Sequence, residues 1–141
     1  VTTPPSSRSI MPDSVNKDAK RTLIVASVFG ALAVGIGAFG AHSLKAHLLE
    51  IGRFDTFETA VRYHFYHTFA LLVVGLLQLR FNNKYLSWSA TCFLAGILLF
   101  SGSLYTLCLA PSLAYLGIIT PFGGLFFIAG WLITAFGVSR Q

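Results

Sequence analysis

Charged residues are scarce in this chain. Only 11% of its 141 residues are Asp, Glu, Lys or Arg, whereas 55% are hydrophobic and the mean hydropathy is +0.71. A soluble domain carries charge on about a quarter of its residues, so this sequence lacks the polar surface that water requires. The low charge content therefore predicts a protein whose main solvent is lipid.

Cysteine is also scarce, with two in the whole chain. Cys92 and Cys108 fall in a single apolar run, where the rise of a helix would separate them by roughly 24 Å. That separation exceeds the span of a disulfide. We therefore expect two buried structural thiols.

Recognisable arrangements of catalytic residues are missing. No Gly-rich phosphate loop follows a strand, no Ser or Cys nucleophile has a spaced partner, and no paired carboxylates lie in the apolar runs. The ten Lys and Arg residues outnumber the five Asp and Glu, but they lie between apolar runs instead of forming the single basic stripe typical of nucleic-acid binding. The sequence thus predicts neither an enzyme nor a nucleic-acid-binding protein.

The amino-terminal segment 1–18 is rich in Ser, Thr and Pro and has no apolar periodicity. This composition favours a disordered or extended arm. The segment contains Met11 but does not begin with Met, and it lacks the compact apolar core of a secretory signal. We predict that the folded domain covers residues 19–141.

Long apolar runs follow the arm. The helices that they predict cover about residues 22–41, 55–79, 88–109 and 120–138, the second beginning outside the hydrocarbon. Each apolar run is close to the twenty or so residues that cross a hydrocarbon core of roughly 30 Å. The sequence therefore predicts an all-α integral membrane protein folded as a four-helix bundle.

The connection between the first two runs has an apolar periodicity of its own. Leu44 and Leu48 are one helical turn apart, and the charged Lys45 and Glu50 lie beside them. This pattern predicts a short amphipathic helix on the membrane surface. The uncharged segment 110–119, between the last two runs, is expected to lie at the interface or against the protein.

Basic residues are divided unequally between the two ends of the predicted bundle. The end that holds both termini carries Arg8, Lys17, Lys20, Arg21, Arg80, Lys84 and Arg140, and the opposite end carries Lys45, Arg53 and Arg62. Lys and Arg are enriched on the cytoplasmic side of membrane proteins. We expect a bacterial cytoplasmic membrane or mitochondrial inner membrane protein, with both termini on the cytoplasmic or matrix side.

Small residues repeat at helical spacing in three of the runs. Lipid supplies no hydrophobic drive for helix association, so close approach of backbones through small residues must supply much of it. The predicted packing positions are Ala26, Gly30, Ala33, Gly37, Ala41, Gly102, Ser103, Gly123, Gly130 and Gly137. These stripes are compatible with packing inside one chain and with docking onto another membrane protein.

The second run carries the one sustained polar face, with His64, His67, Gly75 and Gln78 on one side, and Arg62 is a further polar candidate near its start. Ionisable groups inside a bilayer are costly and often functional. His64 and His67 have an i, i+3 spacing that could face a metal or a haem, but no carboxylate or thiolate stands at a recognised interval. We therefore predict no cofactor and no metal. If His67 has a purely structural role, we expect it to form a hydrogen bond with a neighbouring helix. Arg62 is expected near the interface, where its side chain can reach the headgroups.

Several blocks of sequence are distinctive. They are Gly37-Ala38-Phe39-Gly40-Ala41-His42 with Leu44-Lys45, Phe57 with Thr59-Ala60-Val61-Arg62-Tyr63 and Tyr66-His67, Phe100-Ser101-Gly102-Ser103-Leu104-Tyr105, and Ile119-Thr120-Pro121-Phe122-Gly123-Gly124 with Gly130-Trp131. Together they resemble the family of transmembrane protein 256, also called domain of unknown function number 423, found in bacteria and with a mitochondrial relative in animals. The resemblance implies a four-helix membrane protein and supplies no activity and no catalytic residue. Segment 1–18 departs from the short leader of the bacterial members.

Different classes of function fit these observations. The small-residue stripes and the lack of reactive groups favour a non-enzymatic accessory or structural subunit of a larger membrane complex, with the lipid bilayer and other integral membrane subunits as partners. An oligomeric carrier or channel for a small molecule or lipid, with the polar face of the second run along its path, is an alternative. A protein with a histidine-ligated metal or haem is a second alternative.

Overall fold

The computed structural model describes residues 13–81 and 83–140, which are almost entirely helical and include no strand. The elements are α1 (Asp13–Ala41), α2 (Lys45–Glu50), α3 (Phe54–Arg80), α4 (Lys84–Gly96), a π-helical turn (Ile97–Ser101), α5 (Gly102–Leu109), a 3-10 helix (Pro111–Ile119) and α6 (Thr120–Ser139). Within these residues, four helical rods are long and apolar enough to cross a membrane: Lys17–Ala41, Phe54–Arg80, Lys84–Leu109 and Pro111–Ser139. The all-α fold with four membrane-spanning helices is confirmed, and α2 occupies the place of the predicted short helix.

The first helix begins earlier than expected. Residues 13–18 belong to α1, so the predicted boundary of the arm at residue 18 is wrong for them. Residues 1–12 lie outside the described part of the chain. The segment 17–21 consists largely of good helix formers, and acidic residues are favoured in the first turns of a helix. These local preferences extend the helix beyond the apolar run.

The third rod also begins earlier, at Lys84 instead of residue 88, because Asn83 caps it. The Asn83 Oδ1 accepts a hydrogen bond from the backbone N–H of Tyr85 at 2.9 Å, as side chains at helix N-termini commonly do. The Asn83 Nδ2 donates to the carbonyl of Gly137 at 2.7 Å. One side chain thus sets the start of α4 and joins it to the end of α6.

Two short irregular segments connect the last helices. The third rod widens into the π-helical turn Ile97–Ser101 before continuing as α5. The uncharged segment 110–119 is not a loop, since Pro111–Ile119 forms a 3-10 helix that runs directly into α6. At that junction the hydroxyls of Ser103 and Thr120 are 2.6 Å apart, so α5 and the start of α6 are joined by a hydrogen bond.

The helix α3 lies at the centre of the bundle. It packs against α1 on one side and against α4, the π-helical turn and α5 on the other, and α6 packs mainly on α4. Half of its membrane-spanning window is buried, against 17% for the first and the fourth rods. The outer rods therefore present most of their surface to the surroundings of the chain.

The first turns of α1, the last turn of α6 and the adjoining ends of α3 and α4 meet at one end of the bundle, here called the terminal end. Hydrogen bonds from Ser87 to Asp18 and from Asn83 to Gly137 hold that end together. At the opposite end, the buried thiol of Cys108 lies 3.7 Å from the carbonyl of Arg53. Both cysteines are free in the structure.

The predicted packing positions are mostly at helix contacts. Those that are buried are Ala26, Ala33, Ser103, Gly123, Gly130 and Gly137, and those that are half-buried are Gly30, Gly37 and Gly102. Ala41 is exposed, and a Cβ on Gly102 would meet no atom within 4 Å, so neither is a packing contact. Gly40, which is buried against the Phe57 ring, takes the place of Ala41. The reason is periodicity: Ala26, Ala33 and Gly40 recur every seven residues, the repeat that keeps one face toward a partner helix.

Candidate functional site

The polar face of α3 points into the bundle at His64. This side chain is 3% exposed, its Nδ1 lies 3.2 Å from the hydroxyl of Tyr105 on α5, and the ring of Phe29 on α1 meets it edge-on at 5.8 Å between centroids. The Nε2 atom is buried with no hydrogen-bond partner among the described residues. His64 therefore joins α3 to α5 and is covered by α1.

His67 points toward a different helix. Its Nδ1–H donates to the carbonyl of Tyr63 at 2.8 Å, and its ring lies flat on Phe127 of α6, with centroids 3.4 Å apart and planes 9° from parallel. Trp131 approaches the same ring edge-on at 6.4 Å. This hydrogen bond stays within α3. The contact of His67 with another helix is a ring stack, so the predicted hydrogen bond from His67 to a neighbouring helix is wrong.

The two histidines do not converge on one site. His64 faces α1 and α5, whereas His67 faces α6. In the part of the chain that the structure describes, no three His, Cys, Asp or Glu side chains come close enough to hold a metal ion. His42 and His47 are exposed at the opposite end. The geometry offers His64 and His67 a packing role.

Arg62, the remaining polar candidate on α3, is exposed. Its Nε donates to the carbonyl of Glu58 one turn earlier, at 3.3 Å. Arg62 thus lies outside the helix contacts, as expected of a side chain that can extend toward headgroups.

Two buried serines were missed by the sequence analysis. Ser89 donates to the carbonyl of Gly130 at 2.9 Å, and Ser101 donates to the carbonyl of Ala60 at 2.8 Å. Both side chains are fully buried. They could have been predicted, because serine in an apolar helix commonly forms a hydrogen bond across a helix contact. These two hydrogen bonds join α4 to α6 and the π-helical turn to α3.

Gln78 belongs to a polar chain that crosses three helices at the terminal end. Its Nε2 donates to the hydroxyl of Ser87 on α4 at 3.2 Å, and that hydroxyl donates to the Oδ2 of Asp18 on α1 at 3.3 Å. Gln78 is 3% exposed, and its Oε1 is buried without a hydrogen-bond partner in the described structure. One acceptor in this series of hydrogen bonds therefore has no donor.

Cavities flank this polar chain on both sides. One, of about 250 Å³, lies between α1 and α4 with α3 as its floor, and the other, of about 240 Å³, lies beside the α3–α4 connection. Both are lined by Asp18, Gln78 and Ser87, with Arg21 in the first and Lys84 in the second. We call the region formed by these five residues the terminal cleft.

The terminal cleft is the best candidate for a functional site. Of its residues, only Gln78 is predicted from the sequence as a polar position in the membrane. Asp18 was placed in the arm, and Ser87 lies just before the predicted third run. The available signal was a carboxylate at the entrance of the first apolar run, opposite a serine at the entrance of the third.

The fold and the cleft define a small membrane protein with four membrane-spanning helices and a polar pocket at one end. Residues 36–124 match the family model described as Protein of unknown function (DUF423). The chain belongs to this family.

Bacterial relatives align over most of the chain. A UPF0382 membrane protein of Haemophilus influenzae is 42% identical over 119 residues, which cover 84% of this chain and 94% of the relative. The UPF0382 membrane protein YwdK of Bacillus subtilis is 38% identical over 79% of this chain and 89% of its own length. The UPF0382 inner membrane protein YgdD of Escherichia coli is 37% identical over 84% of this chain and 88% of its own length. No solved structure matches the chain. The relatives support a membrane location.

Proposed function

We propose that this protein is a non-enzymatic accessory subunit that docks onto another integral membrane protein through the outward face of α1. The observation that carries the proposal is a second stripe of small residues, Ser27, Ala31, Gly35 and Ala38, all of them exposed. Their spacing of four, four and three residues keeps them on one side of the helix. We call this set the outer stripe.

The outer stripe is separate from the contact that α1 makes within the chain. Ala26 and Ala33 face α3 and are buried, whereas a Cβ added to Gly35 would meet no atom within 4 Å. Small residues that are unused inside the bundle leave room for a foreign helix backbone to approach closely, which is how helices associate in lipid.

The outward face of α6 provides a comparison. It is covered by large side chains, each more than half exposed: Phe122, Leu125, Ile128 and Leu132. Such a surface suits contact with acyl chains, whereas the outer stripe of α1 consists of small side chains, with the exposed Val28 and Val34 on either side of it. The contrast favours α1 as the docking helix.

The carrier alternative has less support. It requires the polar face of α3 to line a path shared by several copies, but His64 and His67 are buried under Phe29, Tyr105 and Phe127 of the same chain. The part of that face at His64 and His67 is filled by ring contacts, which obstruct a path along α3.

Bulk added to the outer stripe should disrupt the docking. Ala31→Leu places a large side chain on the outer stripe and leaves the contact with α3 untouched. We therefore expect the complex with the partner membrane protein to be lost and the protein to migrate as a smaller species. The measurement is native electrophoresis of membranes solubilised in a mild detergent. The matched control is Ala135→Leu, the same change at an exposed alanine of α6, which should keep the complex.

Two results would contradict the proposal. One is migration of the unaltered protein as a lone monomer at every detergent concentration. The other is equal behaviour of Ala31→Leu and Ala135→Leu. Mixing copies that carry different tags separates the remaining cases, since co-purification of the two tags indicates a homo-oligomer and favours the carrier alternative instead.

The proposed orientation places both termini on the cytoplasmic side of a bacterial membrane, or on the matrix side of a mitochondrial one. It is supported by the excess of Lys and Arg at the terminal end. In a bacterial host, a fluorescent protein fused after Gln141 should fluoresce, and alkaline phosphatase at the same place should be inactive. Fusions to the chain truncated after Gly52, in the exposed turn of the opposite end, should give the reverse pattern. A phosphatase active after Gln141 would overturn the orientation.

A further inference from the structure

The terminal cleft has a charged mouth and an apolar interior. Asp18, Arg21 and Lys84 are exposed at its rim. The larger cavity continues from Gln78 between α1 and α4 along apolar side chains, namely Val25, Leu71 and Leu94. A molecule that fills this space must therefore be polar at one end and apolar at the other.

The mouth of the cleft lies at the depth of lipid headgroups. The ammonium of Lys84 is 5.5 Å from the ring centroid of Tyr85 and 5.4 Å from that of Trp88, and Trp88 lines the smaller cavity while remaining 52% exposed. Trp and Tyr with a neighbouring basic residue mark the membrane–water interface. The polar end of the cleft is thus accessible to the headgroup layer.

One polar atom at the floor of the cleft, the Oε1 of Gln78, is an acceptor that lacks a donor. Gln78 donates through Nε2 to Ser87, and Ser87 donates to Asp18. The Gln78 Oε1 therefore remains an acceptor without a hydrogen-bond donor in the described structure. Burying an unpaired acceptor is unfavourable. A ligand that donates hydrogen bonds and carries positive charge would pair with the Gln78 Oε1 and with the Asp18 carboxylate together.

We infer that the terminal cleft binds a phospholipid whose headgroup carries a primary ammonium, the chemistry of phosphatidylethanolamine. Its ammonium pairs with Asp18 and the Gln78 Oε1, its phosphate pairs with Arg21 and Lys84, and an acyl chain follows the apolar gap between α1 and α4. Ala31 of the outer stripe lines neither cavity. The inference is therefore independent of the docking proposal, and each can fail without the other.

The headgroup chemistry distinguishes this lipid from two common ones. A choline headgroup has the same net charge but no N–H to donate, so it leaves the Gln78 Oε1 unpaired. A glycerol headgroup can donate from its hydroxyls but adds no positive charge to compensate Asp18. Preference for ethanolamine over both follows from a charge-assisted hydrogen bond that only the ammonium can make.

Native mass spectrometry of the full chain in a neutral detergent tests the inference. Ethanolamine, choline and glycerol phospholipids with identical acyl chains are titrated in turn. We expect the ethanolamine lipid to bind about tenfold more tightly than the choline lipid, the factor that one charge-assisted hydrogen bond supplies. Free phosphoethanolamine, which has no acyl chains, should not compete at the same concentrations.

Two variants locate the site. Asp18→Asn removes the charge at the exposed rim, and Gln78→Leu removes the unpaired acceptor with a side chain of similar size. Each should abolish the preference for ethanolamine. Asp55→Asn, the same change at an exposed carboxylate of the opposite end, should retain it.

Several outcomes would overturn the inference. These are equal affinity for the ethanolamine and choline lipids, a preference for the glycerol lipid, or a preference that survives Asp18→Asn. Competition by free phosphoethanolamine would also overturn it, because the cleft would then bind a soluble headgroup and not a lipid.

Discussion

Replacing Phe127 with alanine is expected to destabilise the bundle strongly, because Phe127 holds α6 against two other helices. The ring is 3% exposed, stacks on His67 at 3.4 Å, and lies so close to Gly96 that a Cβ there would overlap it. Phe-to-Ala changes in water-soluble cores cost about 3–5 kcal/mol from lost transfer energy and the cavity together. Unfolded helices stay in lipid, where the transfer contribution is smaller, so we expect a loss of about 2 kcal/mol in the free energy of unfolding.

The preceding residue provides the matched control for that measurement. Phe126 is 39% exposed on the same helix, so Phe126→Ala removes the same atoms from the lipid-facing side and should change stability by less than about 0.5 kcal/mol. Reversible unfolding of both variants in mixed micelles, with increasing fractions of sodium dodecyl sulfate and followed by circular dichroism, gives the comparison. Equal losses for Phe126→Ala and Phe127→Ala would mean that α6 presents a different face to the bundle.

The four membrane-spanning helices could be predicted from the sequence because the constraint on them is strong. Every backbone polar group in hydrocarbon must be satisfied within the segment, and the thickness of the bilayer sets its length. The ends of the rods were less predictable. The start of α4 depends on a cap made by Asn83, and the segment after Pro111 follows a 3-10 path. Such local contacts lie outside the apolar runs and leave no trace in hydropathy.

The rotation of each helix about its axis could be predicted only in part. Two small-residue stripes are present on α1, one with Ala26 and Ala33 and the other with Ala31 and Gly35. Both have spacings that permit close helix contact. Only the structure shows that the first faces α3, because the choice depends on which surface of α3 is complementary to it. This is why the outer stripe was not identified from the sequence.

The terminal cleft could not be predicted, for a related reason. Asp18, Gln78 and Ser87 come from three helices, and each is an ordinary polar residue near the end of an apolar run. Their convergence depends on the register between α1, α3 and α4. The histidines of α3 show the converse case, since their i, i+3 spacing suggested a shared ligand while the packing directs His64 and His67 to different helices.

Replacing Gly123 with alanine is expected to be more damaging than the loss of Phe127, by the opposite mechanism of overpacking. A Cβ on Gly123 would lie 2.8 Å from the Cα and 2.7 Å from the Cβ of Phe100, and closer still to its backbone nitrogen. Backbone atoms of the π-helical turn cannot rotate aside, whereas at Gly130 the facing atoms belong to the Phe93 ring, which can shift. We expect a loss of about 3 kcal/mol, at the upper end of the usual cost of overpacking, measured by unfolding in mixed micelles.

Gly124→Ala is the matched control, since it makes the same change at the next residue of α6. A Cβ on Gly124 would meet the Cδ2 of Phe100 at 3.9 Å, an ordinary contact, and alanine has the higher helix propensity. Stability should therefore be unchanged or slightly raised. A Gly123→Ala variant as stable as Gly124→Ala would show that α6 and the π-helical turn do not meet backbone to backbone. The close packing of the fourth rod on the third would then be contradicted, whereas the assignment of four membrane-spanning helices would be unaffected.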